Sequence, residues 1–146
     1  MAVKRILFAT DFSDASDRAA AFVRRLAEDL GAAVTVMTAL EPLPGYYAPH
    51  LEGGPPGVME NIEKGLKKEL AEYAGKNFAG LSKVESRVTI GKAAEAIIKA
   101  ATAAKADMIV MGTQGRSGLS RLLLGSTAEK VLRTSQIPVM TVPAKT

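Results

Sequence analysis

The residues best suited to holding an anion run from 112 to 127: Gly112-Thr-Gln-Gly115-Arg-Ser-Gly-Leu-Ser-Arg-Leu-Leu-Leu-Gly125-Ser126-Thr127. Glycines directly after a strand let backbone N–H groups approach an anion with no Cβ in the way. Gly125-Ser126-Thr127 leads into a helical pattern, and Ser126 with Glu129 has the Ser-x-x-Glu spacing of a capping box. A helix N-terminus offers unpaired N–H groups and partial positive charge, which suits phosphate. Arg116 and Arg121 are close enough in sequence to add charge-assisted contacts. The same glycines also suit plain turns, and Ser126 a plain helix cap, so local chemistry leaves both readings open. Neither a Walker loop nor a Gly-x-Gly-x-x-Gly fingerprint is present.

A second candidate is Thr10-Asp11, which follows the apolar run Ile6-Leu-Phe-Ala9. Taken by itself, Asp11 is a turn residue or helix cap. Other chemistries are excluded by what the chain lacks. With 146 residues, no Cys and one His, it has no thiol nucleophile, Cys-ligated zinc, iron–sulfur cluster or multi-histidine metal centre. His50 lies in a proline-rich loop with no identifiable partner, and Lys64, Lys67 and Lys68 read as a solvated helix face. The net charge of +4 suits phosphates but is too weak, and too evenly spread, to call for nucleic acid. No apolar run approaches the ~20 residues of a membrane span, and no signal sequence is visible at the start. A cytoplasmic protein is expected.

The elements that would position these residues alternate. Ile6–Ala9 and Met108–Met111 are apolar throughout, as strands covered on both faces are. Between them, Ser13 or Asp14 starts a helix carried by Ala19, Phe22, Val23, Leu26, Ala27 and Leu30 and stopped by Gly31. Val34–Leu40 is a second strand. Residues 41–57 hold five of the seven prolines and form a long loop. A helix follows with Met59, Ile62, Leu66, Leu70, Tyr73 and Ala74 on one stripe. Val84–Ile90 alternates like a half-exposed edge strand, and Gly91 opens a helix carried by Ala93, Ile97, Ala100, Ala101 and Ala104. Ser126–Thr134 is a last helix and Ile137–Val142 a last strand. Strand–helix alternation with right-handed crossovers predicts a single α/β domain over 1–146: a doubly wound, Rossmann-like five-stranded parallel sheet, helices on both faces, order 3-2-1-4-5. In such a sheet ligands bind beyond the strand carboxyl ends where the strand order reverses, which selects Thr10-Asp11 and Met111-Gly112.

Gly112-x2-Gly115-x9-Gly125-Ser126, with Ile6-Leu-Phe-Ala-Thr-Asp-Phe-Ser13 and Ile137-Pro-Val-Met-Thr-Val-Pro143, resembles the pattern of the universal stress protein family. The likeness runs over essentially the whole chain; the loop at 41–57 and the helix after it are its idiosyncratic part. The glycine pattern is that of the family's nucleotide-binding branch rather than the branch that does not bind ATP. The resemblance implies that Asp11 lies by the adenosine, with Ala9 and Thr10 shaping the pocket, and that Ala39 meets the adenine through its backbone. It places Met111 and Gly112 at the ribose and phosphates, and Gly115, Arg116, Gly125, Ser126 and Thr127 on the phosphates. Gln114 stands where the family often carries His or Arg.

The expected function is ATP binding, with or without Mg²⁺, by a stress-response switch or chaperone-like factor with an unidentified protein partner. A slow ATPase is the alternative from the enzyme class, since Asp11 or Ser126 can help hold Mg²⁺ but no general base is evident. Binding of AMP, cyclic AMP or another anion is the third. Pro138 and Pro143 suit an edge strand, while Ile137 and Val139 on one face and Met140 and Val142 on the other leave it apolar. A homodimer through residues 137–143 is therefore expected.

Overall fold

Among the described residues, short apolar runs separated by helical stripes give five strands and four helices. The computed structural model describes residues 2–42, 57–114 and 124–144. Its elements are β1 (Arg5–Ala9), α1 (Asp14–Leu30), β2 (Ala33–Leu40), α2 (Val58–Asn77), β3 (Val84–Ile90), α3 (Ala93–Ala103), β4 (Met108–Gly112), α4 (Ser126–Thr134) and β5 (Val139–Val142). All strand pairs are parallel, and the order is β3-β2-β1-β4-β5. The doubly wound sheet expected from the sequence is the one observed.

Alternation along the central strands sorts the core into two layers. Ile6 and Phe8 of β1, Val34 and Val36 of β2 and Val110 of β4 pack under α1 and α2. Leu7, Ala9, Met37, Ile109 and Met111 pack under α3 and α4. Phe8 is fully buried and meets Phe78 edge-on, ring centroids 5.9 Å apart. Burying one such ring contributes about 1.5–3 kcal/mol. No helix among the described residues is long and apolar enough to cross a membrane.

Several boundaries and faces differ from the sequence reading, each for a local reason. On α1 the buried face is Ser16, Ala19, Ala20, Val23 and Ala27, small residues that let the helix lie close to the sheet. Phe22 and Leu30 flank that face and stay 41% and 49% exposed. On α2 only Leu70 and Ala74 are buried, and Ile62 is exposed, so the stripe is used in the second half of the helix alone. Lys64, Lys67 and Lys68 are exposed, as expected. Gly91 ends the β3 turn at φ 144°, and α3 starts two residues later, after Lys92. β5 begins at Val139 rather than Ile137: Pro138 has no N–H, and its carbonyl accepts the Ile109 N–H at 2.9 Å. At the amino end of the sheet, Asp107 Oδ2 accepts the Lys4 and Arg5 backbone N–H groups at 2.8 and 2.9 Å. Those two bonds hold its carboxyl below the usual carboxylate range.

Candidate functional site

The strand order reverses between β1 and β4, and their carboxyl ends open into a cavity of 580 Å³. That volume lies within the roughly 300–1,000 Å³ of small-molecule pockets. Ala9, Thr10, Asp11, Ala39, Met111, Gly112, Gly125, Ser126 and Thr127 all line it. Nine of the eleven residues singled out from sequence therefore meet at one place. The other two, Gly115 and Arg116, lie outside the described residues, as do Arg121 and His50. Ser16, Met37, Thr38, Glu41, Ala93, Ile97, Thr113, Gln114 and Ala128 complete the wall. Met37, Ala39 and Glu41 had a signal available: alternate residues of a strand share a face, so choosing Ala39 implies its neighbours two away.

The β1 side of the cavity is closed by its own hydrogen bonds. Thr10 is buried, and its Oγ1 accepts from Phe12 N at 3.0 Å and Ser16 Oγ at 2.6 Å. Its carbonyl accepts from Thr38 Oγ1 at 2.8 Å, and its N–H donates to Met37 O at 2.9 Å. Asp11 Oδ1 accepts both the N–H and the hydroxyl of Ser13, at 3.0 and 2.5 Å. Asp11 is thus a turn residue and a cavity residue at once. The turn holds Phe12 at φ 64°, with its ring edge-on to Tyr73 at 5.4 Å. Tyr73 donates its hydroxyl to Asp17 at 2.9 Å.

Three helices start beside the cavity, and they differ in how their first N–H groups are used. α1 is capped by Ser13, whose Oγ accepts from Ser16 N. α3 has no cap from its own N-cap residue, but Glu41 Oε1 accepts the Ala93 N–H at 2.8 Å. α4 begins after Gly125, and among the described residues no side chain caps it. The expected Ser126–Glu129 capping box is not formed. Ser126 is the first helical residue, one position past the cap, so its Oγ is out of register with the N–H a capping box uses. Glu129 instead pairs with Arg133 one turn on. Gly125 is buried, and its N–H donates to Thr113 O at 2.6 Å, pinning the start of α4 to the end of β4. A helix start fixed at the cavity wall, with no cap from the described residues, presents backbone N–H groups of the kind that suit an anion.

The remaining chemistry is sparse. The described lining contains two carboxylates, Asp11 and Glu41, and no Lys or Arg. Among the described residues no group of three or more His, Asp or Glu side chains is placed to hold a metal ion. The deep wall is apolar, formed by Ala9, Met37, Ile97, Met111 and Ala128. The arrangement can seat a flat apolar group between β2 and β4 and an anion at α4.

The universal stress protein family model matches residues 2–143. The chain belongs to that family. It is 37% identical over 140 residues to a universal stress protein of Thermus aquaticus, covering 95% of this chain and 98% of that one. A solved universal stress protein in complex with cAMP superposes with a TM-score of 0.69 at 26% identity, covering 99% of this chain and 100% of that one. The universal stress protein of Archaeoglobus fulgidus in complex with dAMP gives 0.65 at 25% identity, over 97% and 98%.

Proposed function

We propose that this universal stress protein binds an adenine nucleotide in the cavity at the β1/β4 switch point, with ATP as the ligand. The observation that carries the reading is the N-terminus of α4, without a side-chain cap among the described residues, beside a pocket whose deep wall is apolar. Phosphates take the α4 end, on Ser126, Thr127 and the backbone of Gly125, with Gly115 and Arg116 from the neighbouring segment. The base takes the β2 end at Ala39, and Asp11 and Met111 flank the ribose. Mg²⁺, where present, rides on phosphate oxygens rather than in a protein cage, as that ion commonly does. Binding acts as a switch or chaperone-like signal read by a protein partner, since a ligand that favours one state of the protein shifts its population toward that state.

Isothermal titration of nucleotide-free protein with ATP tests this reading: saturable binding is expected, and no heat at millimolar ATP sinks it. The cAMP and dAMP complexes of related proteins favour a second reading, a nucleoside monophosphate. Competition of AMP and cAMP against ATP separates the two. We further propose a homodimer through residues 137–143. Its support is that β5 is the last strand of the sheet with Val139 and Met140 only partly covered. Light scattering that finds a monomer at tens of micromolar overturns it.

A further inference from the structure

None of the residues of α2 lines the cavity, yet Tyr73 joins that helix to the cavity wall. The Tyr73 hydroxyl donates to Asp17 at 2.9 Å, and the Thr10 and Ser16 side chains reach the same oxygen. Its ring stands edge-on to Phe12, centroids 5.4 Å apart. Thr10 and Ser16 line the cavity themselves, and Phe12 follows directly on Asp11, which also lines it. Phe12 has left-handed backbone, φ 64°, which is costly for a bulky residue and persists only where neighbours impose it. Its N–H is held by Thr10 Oγ1 at 3.0 Å, and its ring rests on Tyr73. The turn that carries Asp11 into the cavity and the helix that carries Tyr73 therefore support one another.

α2 itself is thinly held. Leu70 and Ala74 are its buried residues, and Ile62 is exposed. Arg24 is a second tie, donating to Asn77 O at 3.1 Å, but it stands two turns of α1 beyond Asp17 and so further from the cavity. A helix with few buried contacts opens locally at a lower cost than the whole domain unfolds. Resting on the nucleotide reading above, in which the ligand touches Asp11, we propose that Tyr73 couples the cavity to α2, so that a bound nucleotide holds α2 onto the sheet. By reciprocity, whatever grips α2 in that position tightens the nucleotide. The state of the cavity is thereby displayed on a helix outside the cavity wall, where a protein partner can read it.

Hydrogen exchange of the backbone amides of residues 66–77, with and without ATP, tests the coupling. Each protein is measured at a hundred times its own dissociation constant, which separates loss of coupling from loss of affinity. An opening that dismantles the site is then slowed by about 100-fold, and one independent of the site is not slowed at all. In the wild type, exchange over 66–77 is expected to slow by about tenfold or more, alongside residues 17–23 of α1. Tyr73→Leu keeps apolar bulk but loses the ring contact and the hydroxyl. There the factor over 66–77 is expected to fall below about threefold while 17–23 stay protected. Phe12→Asn, which suits left-handed backbone and drops the ring, is expected to act in the same direction and serves if Tyr73→Leu does not fold. Wild-type protection of 17–23 with none over 66–77 overturns the proposal. So does an equal factor in both segments that survives Tyr73→Leu, since α2 then opens only when the whole domain unfolds. A wild type that gives no heat with ATP defeats the nucleotide reading itself, and this proposal with it.

Discussion

α1 and α4 begin on either side of the same switch point, yet their first turns are built in opposite ways. Around α1, side chains close the hydrogen bonds: Ser13 caps, Asp11 holds Ser13, and Thr10 holds Phe12 and Ser16. Around α4 the described residues fix the helix start through the backbone, Gly125 to Thr113, and none of their side chains caps its first turn. A helix end satisfied from within contributes to folding and has little left to offer a ligand. A helix end held in place but uncapped contributes less to folding and keeps its donors for an anion. α3 falls between, with its first N–H taken by Glu41, one residue past β2. The comparison predicts that substitutions on the α1 side act on stability and those at α4 on binding.

The largest effect is expected from Thr10→Val. The change keeps shape but removes the acceptor for both Phe12 N–H and Ser16 Oγ–H in a site only 5% exposed. Orphaning buried donors costs about 1–3 kcal/mol, to be read from chemical denaturation. A loss below half a kcal/mol would mean that the turn is not held by this network. Ser13→Ala comes next, because it removes the α1 cap and the hydroxyl that donates to Asp11, leaving only the backbone N–H of that pair. The expected loss is ~1 kcal/mol.

Ser126→Asp inverts the sign. An acidic residue in a helix first turn is favourable by about 0.3–1 kcal/mol, so the melting temperature should hold or rise. The same charge stands where phosphate is proposed to bind, so ATP affinity should drop by about tenfold or more. If stability rises and affinity is unchanged, α4 is an ordinary helix end and the contrast with α1 collapses.

The fold was legible because it depends on local signals, and the candidate site because strand ends and the family resemblance pointed to it, Ala39 through the resemblance alone. Continuous apolar runs at Ile6–Ala9 and Met108–Met111 mark covered strands, and the alternation of Val84–Ile90 marks an edge. Ser13 and Gly31 cap α1 as their residue types suggest. The misses share one cause: the deciding contact is distant or shifted by one residue. Ser126-x-x-Glu129 has the right letters one position too late, and one residue turns a helical side chain by 100°. Phe22 and Leu30 follow the helical period, yet the sheet accepts only the narrower row of small residues beside them. Glu41 gives no sign in the sequence that it reaches Ala93, 52 positions on. Only the register of β2 against β3, Leu40 beside Ile90, brings those segments together.

The smallest effect is visible only in alkali, and it measures how well the α1 side is closed. Burial pushes the Tyr73 phenol up from 10.0 to about 12; hydrogen bonds from Thr10 and Ser16 oppose the shift, and Asp17 adds to it. A folded-state value above the unfolded one favours the protonated form. Its contribution to stability is therefore complete below pH 10 and is lost as pH rises toward 12. At neutral pH it should be silent. Ultraviolet titration of tyrosinate should show a late step near pH 12 that disappears in Tyr73→Phe, and the alkaline limb of the stability curve should flatten in the same variant. A Tyr73 that titrates at 10 would mean that solvent reaches the α1 turn, so that both helix starts are open and closure no longer separates them.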